Sequence, residues 1–223
     1  MTKYIAHRGF AWRKLENTIE AFEYAASSRA FGIETDVHIT ADKKFVCFHD
    51  HDTKRLCGEQ HMVKDMDYET LSALKIKKKH KIPTLEEFIT ICKKGNKHAV
   101  IELKSPFSES DLDLLVDEVK RLGYLDNSTF ISFTMHHCLY LRQKLPNQSI
   151  QYLTEEFDTD ILEKIAEQKI DLDIKYKCLS KGRIDYCKSI GLKVNCWTLN
   201  HITVAKYFES CGVDYITSNH LGH

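Results

Sequence analysis

The chain has 223 residues, and 43% of them are hydrophobic, which is enough to build one sizeable core. Its 32 basic residues balance its 32 acidic ones, so there is no electrostatic reason to expect a nucleic-acid partner. No apolar run approaches the length needed to span a bilayer, and we expect no stable membrane anchor. These properties predict a single domain over residues 1–223.

The cysteines and the amino terminus indicate where the protein works. The eight cysteines include no Cys-x-x-Cys pair, which argues against a structural zinc site or a redox motif. Most lie in apolar or helical contexts, where a small buried thiol is expected. The first residues enter a strand without the apolar core of a signal peptide. A reducing cytoplasm fits both features. The oligomeric state is not predicted, because no exposed apolar stripe marks a dimer face.

Three short apolar runs in the first fifty residues are each followed directly by titratable residues. Each run is typical of a short buried strand. Burying charge is costly unless the charge is paired, hydrogen-bonded or bound to a metal, so three such strand ends indicate a site. The runs are Tyr4–Ala6 before His7 and Arg8, Gly32–Ile33 before Glu34 and Asp36, and Phe45–Phe48 before His49 and Asp50.

A repeated order of helix and strand organises the whole chain. Five times a helical pattern ends in a glycine placed where a helix C′ residue needs positive φ, at Gly32, Gly95, Gly123, Gly191 and Gly212. Capping boxes predict helix starts at Asn17 with Glu20 and at Thr84 with Glu87. The predicted strands are Tyr4–Ala6, Ile33–Val37, Ala99–Leu103, Thr129–Phe133, Ser149–Leu153, Ile170–Ile174, Leu192–Trp197 and Val213–Thr217.

Eight strands alternating with helices predict an α/β fold of the (β/α)8 TIM-barrel type. A doubly wound open sheet is the alternative, and the lack of a Gly-x-Gly-x-x-Gly after any strand disfavours it. After the second strand comes a hairpin return at Phe45–Phe48 and then a long polar stretch. We expect residues 51–83 to form a lid-like insertion, with the lysine-rich run 75–81 as a solvated face.

Carboxylates at two neighbouring strand ends predict a metal site. Glu34 and Asp36 are two residues apart and therefore share a face, as do Glu102 and Lys104. Three carboxylates at the carboxyl end of a barrel form an oxygen-rich anionic pocket, which suits Mg²⁺ or Ca²⁺. The alternative is a structural ion-pair network in which Arg8 and Lys104 neutralise the carboxylates.

Two histidines and two cations complete the candidate chemistry. His7 and His49 can exchange protons near neutral pH. Arg8 and Lys104 add fixed positive charge, which suits a phosphate group. Together with a metal, these groups indicate phosphoryl chemistry better than sugar isomerisation.

The order of these motifs resembles the glycerophosphodiester phosphodiesterase family over essentially the whole chain. The resemblance implies a TIM barrel with a small insertion after the second strand. It also implies hydrolysis of a small glycerophosphodiester, such as glycerophosphocholine or glycerophosphoethanolamine, to glycerol 3-phosphate and an alcohol. The motifs are His7-Arg8-Gly9, Glu16-Asn17-Thr18, Glu34-x-Asp36-Val37, His49-Asp50, Ile82 through Glu87, Glu102-x-Lys104 and Trp197-Thr198.

The same resemblance implies a role for each site residue. The implied nucleophile is the glycerol 2-hydroxyl of the substrate, which would give a cyclic phosphate that water opens. Which histidine acts first as base stays open, and barrel-core filling is an equal alternative for the tryptophan. The implied roles are Glu34, Asp36 and Glu102 as ligands of one divalent cation (Mg²⁺ or Ca²⁺), His7 and His49 as the acid–base pair, Arg8 and Lys104 on the phosphate, Glu16 at the edge, and Trp197 as a substrate wall.

The repeated His-Asp at 49–52 raises a question of register. Family members commonly carry an arginine six residues after the catalytic histidine and a glycine nine after it. Counting from His49 finds Arg55 and Gly58, so His51 is expected to face the insertion. His38 shares the face of Glu34, so its side chain could reach the edge of the pocket, but we expect it to have a surface role.

The end of the last strand departs from the family pattern. It reads Thr217-Ser218-Asn219-His220, where the family commonly has Thr-Asp-x-Pro. Any positioning role of that aspartate is therefore in doubt here.

Two other functions remain alternatives. A lysophospholipase D or related phospholipase would use the same chemistry at a membrane, but the apolar residues of the insertion are mixed with charge. A non-catalytic barrel that binds a phosphodiester would have no need for two acid–base imidazoles.

Overall fold

The structure is a computed structural model and describes residues 1–222. Nine strands form one sheet, and eight of them are parallel and alternate with helices. The strands are β1 (Lys3–Ala6), β2 (Gly32–Ile39), β3 (Phe45–Cys47), β4 (His98–Leu103), β5 (Ser128–Ser132), β6 (Ser149–Thr154), β7 (Asp171–Lys175), β8 (Val194–Trp197) and β9 (Tyr215–Ser218).

The described helices surround these strands. None of the helices in residues 1–222 is long and apolar enough to cross a membrane. They are α1 (Ile19–Ala26), α2 (Lys54–Cys57), α3 (Tyr68–Ala73), α4 (Leu85–Lys94), α5 (Glu109–Arg121), α6 (Met135–Lys144), α7 (Thr159–Glu167), α8 (Lys181–Ser189) and α9 (Ile202–Cys211).

The eight parallel strands close into a barrel. Their order is β1-β9-β8-β7-β6-β5-β4-β2, and β1 also pairs with β2, which joins the two ends. The predicted (β/α)8 TIM barrel is therefore confirmed, and the open-sheet alternative is wrong. β3 is the hairpin return and pairs antiparallel with β2.

Strand periodicity separates the core outside the barrel from the core inside it. Ile33, Val37 and Ile101 belong to the large buried cluster that packs against the helices. Ile5 and Val100 belong to a small inner cluster, together with Ile131 and Leu153. Glu34, Asp36 and Glu102 alternate with the outer residues, so their side chains point to the barrel interior.

The glycine prediction is right at three positions and wrong at two. Gly123, Gly191 and Gly212 have positive φ values of 64°, 85° and 85°. Gly32 and Gly95 lack positive φ, and close packing explains their identity instead. A Cβ would lie 2.7 Å from the carbonyl oxygen of His98 at Gly32, and 2.7 Å from the Cβ of Ala26 at Gly95.

One of the two predicted capping boxes is confirmed. Thr84 accepts from the backbone of Glu87, and the Glu87 side chain accepts from the backbone of Thr84, at the start of α4. At α1 the cap is Thr18, which accepts from the backbone N–H of Ala21. The box predicted at Asn17 is wrong, because Asn17 has a φ of 51° and its amide donates to Asp36 over 2.8 Å.

The segment 51–83 is a folded unit with its own buried cluster. It contains α2, α3 and two isolated bridges, Asp52 with Met62 and Ile76 with His80. Its apolar side chains pack against the β3 region, which anchors the segment beside the barrel. The buried members of this cluster are Val46, Phe48, Leu56, Val63, Leu71, Ile76 and Ile82.

Candidate active site

A cavity of about 260 Å³ opens at the carboxyl end of the barrel strands. It has a polar half on β1, β2 and β4, and an aromatic and apolar half on β5 to β8. Seven of the nine residues predicted for the site line it, and Asp36 and Glu16 contact that lining. The lining comprises His7, Arg8, Glu34, His49, Glu102, Lys104, Ile131, Phe133, Leu153, Glu155, Asp173, Trp197, Thr198 and Thr217.

The structure brings the three carboxylates together. One oxygen each of Glu34, Asp36 and Glu102 lies within 4.8 Å of the others. All three residues are buried, with exposed fractions of 2%, 0% and 8%. Oε1 of Glu34 and Oδ1 of Asp36 have no hydrogen-bond partner among residues 1–222. Buried, unpartnered carboxylate oxygens at this spacing fit a hard divalent cation.

The three crowded carboxyl groups differ in pKa. Burial and the charge of Asp36 raise the pKa of Glu34 well above its usual value. The same two causes raise the pKa of Glu102 to about 7. Burial opposes ionisation of Asp36 as well, but Arg8, His49 and Lys104 hold its pKa at about 2. A divalent cation would relieve the repulsion and favour the ionised forms.

Arg8 and Lys104 contact the carboxylates and line the cavity beside them. Nε of Arg8 is 3.1 Å from Oδ2 of Asp36, and its backbone N–H donates to Oε2 of Glu34 over 2.9 Å. Nζ of Lys104 is 2.9 Å from Glu102 and 3.8 Å from Asp36. The proposed ion-pair network therefore exists, but two cations face three carboxylates, and both cations also line the cavity.

The imidazole of His7 is held by Asn219, which directly follows the last barrel strand. Its Nδ1 lies 2.7 Å from Oδ1 of Asn219, and its Nε2 lies 3.9 Å from Oε2 of Glu34. Burial and the neighbouring charge of Arg8 lower the pKa of His7 to about 4. Asn219, which was not assigned to the site from sequence, therefore contacts a proposed catalytic residue.

His49 is held in the same way by its neighbour in the chain. Its Nδ1 lies 2.7 Å from Oδ1 of Asp50. Burial lowers the pKa of His49, and Arg8 acts in the same direction, whereas Asp36 and Asp50 oppose the shift. The imidazole is therefore neutral near pH 7, with one nitrogen occupied by a carboxylate.

Arg55 connects the segment 51–83 to the site. It donates to Asp50 from Nε over 2.6 Å and to Glu16 from Nη2 over 2.7 Å. Glu16 in turn accepts from Arg8 over 3.1 Å. Arg55 was not assigned to the site from sequence, although its place six residues after His49 was the signal that could have identified it.

The expected surface role of His38 is wrong. Its side chain is buried, Nδ1 lies 2.9 Å from Oγ of Ser105, and Nε2 lies 3.3 Å from the carbonyl oxygen of His49. His51 is exposed and packs edge-on against the ring of His38. His49 lines the cavity and His51 does not, among the described residues, which agrees with the register chosen from Arg55.

Trp197 contacts both the barrel core and the cavity. Its ring packs on the inner barrel cluster and also lines the cavity. Its Nε1–H donates to the carbonyl oxygen of Asp173 over 3.3 Å. Phe133 and Asp173 line the same half of the cavity and were not assigned to the site from sequence.

Comparison with known proteins agrees with this geometry. Residues 7–223 match the model of the glycerophosphoryl diester phosphodiesterase family. A glycerophosphodiester phosphodiesterase of Bacillus altitudinis is 34% identical over 164 residues, which cover 69% of this chain and 67% of that protein.

Two solved structures extend the similarity over nearly the full length. The crystal structure of a glycerophosphodiester phosphodiesterase from Parabacteroides distasonis has a TM-score of 0.86 and 31% identity, and the match covers 98% of this chain and 92% of that one. An Oleispira antarctica phosphodiesterase, solved in complex with the product sn-glycerol-3-phosphate, shares the fold with a TM-score of 0.91 at 22% identity, covering 98% and 93%. The chain therefore belongs to the glycerophosphoryl diester phosphodiesterase family and is a phosphoric diester hydrolase.

Proposed function

We propose that this enzyme hydrolyses small glycerophosphodiesters, such as glycerophosphocholine or glycerophosphoethanolamine, to glycerol 3-phosphate and an alcohol. The observation that carries the proposal is the cavity in which two imidazoles and two cations meet beside three clustered carboxylates. Family membership makes the diester the expected substrate class.

One divalent cation, Mg²⁺ or Ca²⁺, is proposed as the cofactor, with Glu34, Asp36 and Glu102 as its ligands. When bound, it would supply positive charge where negative charge builds up on the phosphate oxygens. The unpartnered oxygens of Glu34 and Asp36 support this assignment.

Arg8 and Lys104 are proposed to bind the phosphate. Both line the cavity, and ion pairs with Asp36 and Glu102 hold them in place. Such preorganised cations stabilise developing charge without reorganising during the reaction. Glu16 would act at the edge by holding Arg8 in place.

His7 and His49 are proposed as the acid–base pair. Their lowered pKa values leave both imidazoles neutral near pH 7, so either can accept a proton from the attacking hydroxyl. An anionic diester bound beside the second imidazole would favour its protonated form, which can then donate to the departing alcohol.

The proposed nucleophile is the glycerol 2-hydroxyl of the substrate. Attack within the same molecule benefits from an effective molarity on the order of 10⁵ M or more. Water would then open the cyclic phosphate. Detection of the cyclic phosphate by ³¹P NMR during turnover would support this route. Incorporation of solvent ¹⁸O without any cyclic species would support direct attack by water.

A reducing cytoplasm is the proposed compartment. All eight cysteines lie within the described residues, and all are free thiols. Fractionation of the native host with an antibody to the chain tests this assignment.

A further inference from the structure

The half of the cavity opposite the phosphate-binding residues is lined by aromatic and aliphatic side chains and one buried aspartate. Phe133, directly after β5, lines this half together with Asp173 on β7 and Trp197 on β8, with Ile131 and Leu153 beside them. Since the cations that would bind phosphate follow β1 and β4, this second half faces an organic end of a bound diester.

Asp173 is the unusual member of this half. It is 1% exposed, and its Oδ1 has no hydrogen-bond partner among residues 1–222. Burial, followed by the charge of Glu102, raises its pKa well above the usual value. A buried carboxyl group of this kind is costly to ionise unless a positive charge lies close to it.

Two aromatic rings form the walls near Asp173. The rings of Phe133 and Trp197 are 5.7 Å apart at an angle of 87°, so they meet as a corner. Phe133 is 45% exposed, which is unusual for a phenylalanine and leaves its surface open to the cavity. The bond from Trp197 Nε1–H to the Asp173 carbonyl oxygen fixes the indole against β7.

The charges around this corner favour a cation over an anion. The nearest basic residue on β7, Lys175, is paired with Glu155 over 3.1 Å and does not line the cavity in the described part of the chain. Ring faces attract cations through their quadrupoles, and methyl groups pack well against rings and aliphatic walls. A quaternary ammonium group combines both properties. Its positive charge beside Asp173 would favour the ionised carboxylate, whose pKa is otherwise raised by burial.

We propose that Asp173, Phe133 and Trp197 form a cation subsite that makes the enzyme select diesters whose alcohol carries a quaternary ammonium over neutral diesters of the same shape. This inference rests on the proposed function, because it names the substrate class of that same site. Asp173 is its specificity-determining residue.

The test compares two substrates that differ only in charge. Glycerophosphocholine and glycerophospho-3,3-dimethylbutanol have the same shape, since a carbon replaces the nitrogen of choline. We expect the full-length enzyme, loaded with metal, to prefer the choline ester by about tenfold or more in kcat/KM, as a desolvated cation–π contact predicts. Asp173→Asn keeps the size of the side chain but removes the carboxyl group that a bound cation would hold in its ionised form, so this preference should fall to about threefold or less.

Glu155→Gln is the matched control, because it removes a carboxylate that already has a partner in the same cavity. It should leave the preference within about twofold of the wild type. Loss of the preference in Glu155→Gln but not in Asp173→Asn would overturn the role of Asp173. Equal hydrolysis of both substrates by the wild type would overturn the subsite while leaving the proposed function intact.

A second measurement does not depend on turnover. Trp12→Phe leaves Trp197 as the only tryptophan of the chain, so its fluorescence reports on the corner. Tetramethylammonium should change that fluorescence saturably, and Asp173→Asn should weaken the binding. If neither diester is hydrolysed, the proposed function fails, and an absent or unsaturable response to tetramethylammonium would overturn the subsite as well.

Discussion

Oδ1 of Asn219 lies 2.7 Å from Nδ1 of His7. An amide oxygen only accepts hydrogen bonds, so Nδ1 carries the hydrogen and Nε2 keeps a free lone pair on the side of Glu34. Asn219 follows β9 and His7 follows β1, and these two strands pair with each other. The pairing that helps close the barrel therefore also orients a proposed catalytic base.

Removing this bond should lower catalysis without loss of substrate binding. We expect Asn219→Leu to reduce kcat by about 10- to 100-fold with little change in KM, since partners of this kind typically contribute that much. Asn219→Asp keeps the acceptor and should retain most of the activity. Equal losses in both variants would show that the hydrogen bond is not the reason for the effect.

The two-histidine scheme predicts separate effects on turnover and binding. His7→Ala or His49→Ala should abolish turnover of glycerophosphocholine, because each removes one of the two groups that exchange protons. Metal and substrate binding, measured by calorimetry, should remain largely intact. Near-normal turnover in either variant would contradict the scheme.

The carboxylate cluster predicts how the metal ligands respond to substitution. Glu34→Gln should weaken the binding of Mg²⁺ or Ca²⁺ together with the rate, because an amide carries no charge to offset the cation. Glu163→Gln changes an exposed carboxylate far along the chain on α7 and should alter neither. Metal affinity unchanged in Glu34→Gln would remove Glu34 from the ligand set.

The raised pKa of Glu102 predicts a pH dependence of stability in the metal-free protein. The folded pKa is about 7 and the unfolded value is about 4.3, so the folded state holds a proton that the unfolded state has already lost. This stabilisation is complete below the unfolded pKa and is lost as the pH rises through about 7. In EDTA, the Tm should fall by roughly 5 °C between pH 6 and pH 8.

Two comparisons isolate that effect. Glu102→Gln cannot ionise, so its Tm should change less over the same pH range. Added divalent cation should raise the Tm more at pH 8 than at pH 6, because protons compete with the metal at low pH. An equal fall in Tm with pH in both proteins would assign the dependence to other groups.

Arg55 should contribute to catalysis because it donates hydrogen bonds to both Asp50 and Glu16. Arg55→Lys keeps one charge but cannot hold Asp50 and Glu16 at the same time with a planar fork. We expect kcat to fall by about tenfold, on the order of one charge-assisted hydrogen bond. Lys54→Arg, at the exposed neighbouring position, should leave kcat unchanged, and equal effects at both positions would contradict the role of Arg55.

Periodicity in the sequence was sufficient to predict the barrel and the strand faces. The alternation of apolar and polar residues places Glu34 and Asp36 on one face of β2, and buried charge at strand ends marks the site. Contacts between residues that are distant in the sequence could not be predicted from periodicity. His38 could not be assigned, because its burial depends on Ser105 and on the backbone of His49.

Local rules failed where tertiary packing took precedence. The Asn17 and Glu20 pair satisfies the spacing of a capping box, but the amide of Asn17 is instead committed to Asp36. Gly32 and Gly95 have the position of C′ residues, yet each is required by a close approach to another segment. Asp173 carried no signal, because a single aspartate within a strand pattern does not show that its carboxyl group lacks a partner.

The most direct measurement is the release of glycerol 3-phosphate from glycerophosphocholine by the purified protein, with and without EDTA. We expect release in the presence of Mg²⁺ or Ca²⁺, its loss in EDTA, and its recovery when either cation is restored in excess. No release under any of these conditions, or release unaffected by EDTA, would contradict metal-dependent diester hydrolysis at this site.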